Sequence, residues 1–304
     1  MTMEKRWDVL GLGCAAVDDA LYVERYPAGD TKIRVRRRQR RVGGLTTAAL
    51  LTAARMGGRC AYAGKLGRDE LSAFVEDELR RTGVDVAPVV RTESGSPIHA
   101  IVVLGDEDHT RTIFFHRDDT MGAHDSLPAA DVIEAARVLF VDAFGLAGQL
   151  RAARIAHAAG IPIVADFERG EGAFFEDLQA LVDHLILSQD FAFSWSGCDS
   201  PQEALQRLWT PQRAVVAATA GERGCWLLDA DGLHHQPAFQ VDVVDTNGCG
   251  DAFHGAWALA LAQGNPVREC ARIAAAAAAL KATQPGLTGV PPLPEIHDFI
   301  ARAS

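Results

Sequence analysis

Val244-Asp245-Thr246-Asn247-Gly248-Cys249-Gly250-Asp251-Ala252-Phe253-His254-Gly255-Ala256 is the stretch on which the reading of this chain turns. Gly248 and Gly250 permit a backbone turn that side chains would block, so consecutive N–H groups can converge on one point. The apolar run over 252–262 reads as a helix, which puts that turn at a helix N-terminus. Free N–H donors and the helix dipole favour an anion there. Asp251 stands at the mouth of this positive nest. A carboxylate in that place can take a proton from a substrate hydroxyl while the nest steadies a transferring phosphoryl group. A glycine-rich helix cap with an acidic dipole partner is the plainer alternative, because short glycine patterns are weak signals alone.

At 304 residues, 48% of them hydrophobic, the chain can bury a full core, and 1–304 reads as one large α/β unit. A net charge of −10 argues against general nucleic-acid binding. The cysteines Cys14, Cys60, Cys198, Cys225, Cys249 and Cys270 show no C-x-x-C spacing, so neither a zinc site nor a disulfide framework is indicated. Reduced thiols are the default of a cytoplasmic protein. Residues 9–17 faintly resemble a secretory segment, but Asp8 interrupts its start and Asp18-Asp19 closes it. A buried strand explains the run better. No apolar run approaches the roughly 18–20 residues of a membrane span. The expectation is a cytoplasmic protein without membrane or nucleic-acid partners.

Along the chain, residues 7–13 read as a first strand ending in glycines. Gly11-x-Gly13-x-x-Ala16 suggests a dinucleotide fingerprint, which is rejected because extended chain follows where that fingerprint needs a helix. Residues 32–42 read as an edge or lid strand, polar on both faces and dominated by Arg34, Arg36, Arg37, Arg38, Arg40 and Arg41. A solvated face, an intersubunit contact and attraction of an anionic substrate are its three readings. Gly43-Gly44 opens a helix over 45–56, and a second helix covers 70–81. Residues 98–104 and 111–115 read as a hairpin around Gly105-Asp106-Glu107-Asp108. Together with strands near 20–25 and 32–42 they predict a small antiparallel sheet outside the main domain, formed by about 19–42 and 97–117. Short apolar runs then alternate with helix-length segments, which argues for a parallel sheet wrapped on both faces by helices. Residues 225–229 and 239–243 are expected as antiparallel edge strands, and three helices close the chain.

The motif Asp245-Thr246-x-Gly248-x-Gly250-Asp251-x-Phe253-x-Gly255-Ala256 resembles the C-terminal signature of the ribokinase (PfkB-type) family of carbohydrate kinases. Gly43-Gly44, the helix through Met56-Gly57 and Gly64-Lys65-Leu66-Gly67-Arg68-Asp69 resemble that family's N-terminal segment, so the likeness covers the whole chain. It implies a ribokinase-like fold: a doubly wound, mostly parallel sheet flanked by helices, with a small β-sheet lid. It implies Asp251 as general base, with the N–H groups of Gly248, Cys249 and Gly250 as the hole for the γ-phosphate. Asp18, Gly43, Gly44 and Thr47 would meet the sugar. Thr219-Ala220-Gly221-Glu222-Arg223-Gly224 matches the T-x-G-x-x-G that lines the nucleotide, so Thr219, Gly221, Gly224 and Asp245 join Gly248 and Gly250 as nucleotide-side residues. ATP with Mg²⁺ riding on it would be the cofactor, with no dedicated protein metal site and a monovalent cation as a further candidate. Lids in this family often pair, which implies a homodimer through the lid.

Three places depart from the family, one of them Cys249, where the signature usually has an alanine. Ala48 stands where an asparagine usually binds sugar, and Ser188-Gln189-Asp190-Phe191 replaces the N-x-x-E segment whose glutamate helps place the metal. Within the family the likeness is to sulfofructose kinase and ketohexokinase-like members. Lys32 sits where the first places a lysine near a sulfonate, whereas Ile113-Phe114-Phe115-His116 and Asp142-Ala143-Phe144 lack its other sulfonate-binding groups. The resemblance therefore implies an ATP-dependent kinase acting on a primary hydroxyl of a ketose or ketose derivative, with Lys32, His116 and the lid arginines as candidates for an anionic group. A catalytically silent sugar- or nucleotide-binding protein and a nucleoside kinase are the alternatives.

Overall fold

The computed structural model describes residues 5–107, 110–117 and 121–303, the side chains of 287 and 288 apart; Asp108 of the expected hairpin loop lies outside them. Strands β1 (Trp7–Gly11), β2 (Ala16–Val23) and β3 (Arg37–Gly43) precede helix α1 (Leu45–Arg55). Next come β4 (Cys60–Tyr62), β5 (Lys65–Leu66), α2 (Glu70–Arg81), β6 (Val90–Arg91), β7 (Ile98–Gly105) and β8 (Arg111–His116). The middle of the chain carries α3 (Ala130–Glu134), β9 (Ala136–Asp142), α4 (Leu146–Ala158), β10 (Ile163–Asp166), α5 (Ala173–Ala180) and β11 (His184–Ser188). Then follow α6 (Gln189–Ser196), α7 (Pro201–Leu208), β12 (Val215–Thr219), β13 (Cys225–Asp229) and β14 (Gly232–Gln236). Helices α8 (Cys249–Ala262), α9 (Val267–Ala282) and α10 (Leu293–Ala303) end it.

The large sheet runs β14-β13-β12-β11-β10-β9-β1-β4, parallel from β4 to β12 and antiparallel at its β13 and β14 edge. Its strands are apolar without alternation because both faces are covered. Val9, Val138, Phe140, Val164 and Ile186 enter the core on one side, with α1, α8 and α9. Leu10, Leu139, Val141, Ala165 and Leu185 enter the core on the other, with α4, α5 and α7. The last edge strand is Gly232–Gln236 rather than the expected 239–243. Gly232, at φ 113°, turns the chain tightly enough after β13 for pairing to begin at once.

The lid sheet runs β3-β2-β7-β8. Its outer pairs are antiparallel but β2 and β7 run parallel, so it is a mixed sheet and not the all-antiparallel one expected. Regular pairing in its arginine-rich edge strand starts at Arg37, five residues later than expected.

Helix α8 is apolar on every side because it is enclosed, packed between α1 and α9. A Cβ on Gly255 would lie 2.2 Å from the carbonyl oxygen of Ala49 in α1. The signature's third glycine thus serves backbone-to-backbone contact between two helices whose N-termini open on the same cavity.

Candidate active site

That cavity, about 380 Å³, lies between the lid and the large sheet. Gly248 and Asp251 from α8, Gly43 and Gly44 before α1, and Asp18 of β2 all line it. At the start of α8, Gly248 takes the left-handed conformation (φ 82°), which a side chain would strain. The N–H of Cys249 donates to Thr246 O at 3.2 Å and so turns into the loop. Those of Gly248 and Gly250 make no such bond among the described residues. A Cβ on Gly250 would meet nothing within 4 Å. Of the three expected donors, two are therefore open to an anion.

Asp251, in the first turn of α8, sits among other acids. Burial pushes its carboxyl up to about 7, and the charges of Asp166, Glu168 and Asp18 add to the rise against the pull of His254. A carboxyl in that range is near its working pH as a base. Asp166, at the end of β10, is itself raised well above the usual carboxylate range by burial, then by Glu168 and Asp142. His254, one turn along α8, is buried between acceptors. Its Nδ1 lies 2.8 Å from Gly250 O and 3.3 Å from Asp166 Oδ2, and its Nε2 lies 3.0 Å from Ile186 O. The pair Asp166–His254 thus braces the floor under Asp251. Sequence reasoning missed both residues: Asp166 lies 85 positions before Asp251, and only the packing of α8 against β10 brings them together.

Asp142 at the end of β9 is a fixed strut rather than a ligand. It accepts from Cys14 N–H (2.7 Å), Thr46 Oγ1 (2.8 Å), Phe144 N–H (2.9 Å) and Gln149 Nε2 (3.1 Å), tying the β1–β2 turn to α1 and α4.

Among the residues expected to meet the sugar, burial raises the Asp18 carboxyl against the charge of Arg41. A Cβ on Gly43 would stand 2.9 Å from Asp18 Oδ2, and Gly44, at φ 90°, lets the chain pass against Ala15 and Ala16. Ala48 lines the cavity, while the neighbouring Thr47 hydroxyl is committed to the carbonyls of Gly43 and Gly44. His116 and Lys32 do not line it. In β8, Ile113 and Phe115 point inward, so His116, paired with His99, faces the other side of the sheet. Lys32 is exposed between Thr31 and Ile33, which line a separate groove. The cations that do line the cavity are Arg41, Arg117 and Arg169. Arg41 is engaged with Asp245, Tyr22 and Gln39, and Arg169 lies over the ring of Phe144 at 4.3 Å.

Among the residues expected to meet the nucleotide, Thr219 ends β12 and its hydroxyl donates to Leu187 O at 3.3 Å. Gly221 is exposed, with open space where a Cβ would lie, whereas a Cβ on Gly224 would come within 2.1 Å of Gln236 O. Gly224 is therefore required by the hairpin itself. Burial works against ionisation of Asp245, yet the N–H groups of Gly286 and Asn247 and the charges of Lys281 and Arg41 hold its carboxyl below the usual range. Where N-x-x-E was absent, Ser188 caps α6 by accepting from Phe191 N–H, and Phe191 stacks on Trp195 at 5.7 Å between ring centres.

The family model described as pfkB family carbohydrate kinase matches residues 9–295. Fructokinase-1 of Oryza sativa subsp. japonica is 29% identical over 83% of this chain and 85% of its own length. Ketohexokinase of Mus musculus is 25% identical over 95% of this chain and all of its own. A crystal structure of a putative ribokinase from Agrobacterium tumefaciens superposes with a TM-score of 0.89 at 28% identity, covering 97% of this chain and 98% of that one. Arabidopsis thaliana ribokinase, complexed with ribose and ATP, shares the fold with a TM-score of 0.83 at 21% identity, over 97% of this chain and 98% of that one.

Proposed function

Because this chain belongs to the pfkB family of carbohydrate kinases, we propose that it transfers the γ-phosphoryl group of ATP to a primary hydroxyl of a ketose or ketose derivative. The observation that carries this reading is Asp251, a carboxyl raised to about 7 beside two open N–H groups at a helix N-terminus. Asp251 takes the hydroxyl proton as the sugar oxygen bonds to phosphorus. The bond from phosphorus to ADP breaks, and the proton leaves Asp251 for solvent after the products depart. The N–H groups of Gly248 and Gly250 face the charge on the transferring group. Asp18 accepts hydrogen bonds from sugar hydroxyls, and the glycine pair Gly43-Gly44 lets backbone meet the ring.

Mg²⁺ prefers oxygen ligands, and Glu168, which lines the cavity with Asp251, is the carboxylate that would help hold a metal carried on the nucleotide. The ion would neutralise phosphate charge. Thr219, Gly221 and Asp245 stand at the nucleotide end of the reading.

The names of the fructokinase and ketohexokinase relatives support a ketose. A second reading, a ketose bearing an anionic group, is favoured by Arg117 and Arg169, which line the cavity. Ile101 and Phe114, paired across β7 and β8 and 40% and 52% exposed, support a homodimer through the lid. The cytoplasm suits both ATP use and the six free cysteines. Among the described residues no helix is long and apolar enough to cross a membrane.

The test is ADP release from Mg-ATP across ketoses, aldoses, sugar acids, sulfonated sugars and nucleosides. Turnover of a ketose above all others is the expected result. ATP binding with no turnover on the whole panel would replace this reading with a silent sugar- or nucleotide-binding protein.

A further inference from the structure

Lys281 has no exposed surface, although ammonium groups rarely leave water. It projects from the last turn of α9 toward the loop that enters α8, where its Nζ donates to Asp245 O at 2.6 Å and lies 3.9 Å from Asp245 Oδ1. The same helix end grips that loop through its backbone: the N–H groups of Val244 and Asp245 donate to Ala282 O at 2.8 and 3.0 Å. Nothing in the phosphoryl-transfer chemistry above uses this lysine. A buried charge held by one carbonyl and a carboxylate oxygen 3.9 Å away is costly to keep for packing alone, since an apolar chain of similar length fills the space without desolvation.

A monovalent metal ion was a candidate cofactor, and the oxygens of Asp245 are the sort it would need: a loop carbonyl and a carboxylate next to the anion hole. They are already engaged. The carbonyl accepts from Lys281, Oδ1 accepts from Asn247 N–H at 2.9 Å, and Oδ2 accepts from Gly286 N–H at 2.9 Å and from Arg41 Nη1 at 3.2 Å. A free ion would find two fixed cations in front of it and no open oxygen on Asp245. Such an ion does not fit.

We propose that the Lys281 ammonium is the resident cation of the phosphoryl-transfer loop, holding residues 245–250 in place by the Asp245 carbonyl and dispensing with a monovalent metal ion there. Lys281 is a positioning residue. Its charge also acts on Cys249 and Asp251, the residues that frame the anion hole. The inference rests on the kinase reading, and thermal stability supplies a readout that needs no turnover.

The experiment compares the full-length chain in potassium, ammonium, sodium and tetramethylammonium chloride at matched ionic strength. Wild-type initial rate and Tm are expected to be the same in all four salts, and severalfold activation by potassium over tetramethylammonium overturns the proposal. In Lys281→Ala the vacated space is expected to accept a small cation, so potassium or ammonium raises both Tm and rate where tetramethylammonium does not. A folded variant blind to the identity of the cation overturns the proposal. Lys281→Met, which keeps the volume but not the charge, is expected to lower kcat by about tenfold or more with the sugar KM little changed. An undiminished kcat there overturns it as well. If no substrate is found, the Tm comparisons still decide, so failure of this inference and failure of the kinase reading are told apart.

Discussion

On the outer face of the lid, Asp19 accepts from Arg40 Nε and Nη2 at 2.9 and 3.0 Å and lies 2.9 Å from His99 Nε2. The hydrogen bonds from Arg40 come first among the causes that hold its carboxyl down at about 2. Asp18, the next residue back, points to the inner face, where burial outweighs the pull of Arg41 and raises its carboxyl instead. One residue of strand separates a carboxylate stabilised by its partners from one that resists ionisation. Asp251, which also lines the cavity, and the buried Asp166 behind it are raised more strongly still. Outer-face acids serve the fold, and inner-face acids are kept ready for protons at the expense of the fold.

The comparison breaks first at Asp251. Asp251→Asn is expected to lower kcat by about 10²–10⁴ with sugar binding retained, measured by ADP release. Activity near wild type would remove the base from the mechanism. Next in size is the pH profile. The rate should rise with pH through about 7 as Asp251 loses its proton. Asp166→Asn removes the like charge that ranks after burial, so that limb should move toward acid by about one pH unit. A limb that stays in place would show that Asp166 does not act on Asp251.

Stability gives the opposite signs. A carboxyl raised in the folded state binds its proton more tightly there, so its contribution is full below about pH 4 and is lost as pH rises through about 7. Asp251→Asn should therefore raise Tm at pH 8 by about 2–4 °C and change it little at pH 4. Asp19 works the other way: its contribution is present above about pH 4 and lost as pH falls toward 2. Asp19→Asn should cost about 1 kcal/mol at pH 7 in a denaturant titration, with kcat unchanged and the loss shrinking in acid. A fall in kcat instead would erase the distinction between the two faces.

The parts of this molecule that could be read from the chain are those whose physics is local. The nest at Gly248 and Gly250 follows from glycine backbone and a following helix, and the alternation of β9 through β12 with helices follows from apolar runs of strand length. Orientation within a strand was less legible. His116 and Phe115 are both in β8, and only the register with β7 shows which one faces the cavity. Lys281, His254 and Asp166 were missed for a related reason: no local pattern marks them. The partners of Lys281 and His254, which are Asp245 O, Ile186 O and Gly250 O, are main-chain atoms, which no side-chain pattern advertises, and the partner of Asp166 is His254 itself, on a distant helix. The 239–243 run, apolar enough to suggest a strand, was placed wrongly because the tight turn before Gly232 had already supplied the edge.

The contact between Gly255 and the Ala49 carbonyl reaches beyond packing. On the proposed function, helix α1 begins at the glycine pair expected to meet the acceptor, and α8 at the nest expected to meet the donor. With their backbones touching, the two helices would then form a rigid gauge that sets the gap between attacking oxygen and phosphorus. Substrate choice is then free to drift in the lid, through Phe115, Arg117 and their neighbours, while the gauge stays the same. A designer seeking a new sugar would change the lid and leave the two helices alone.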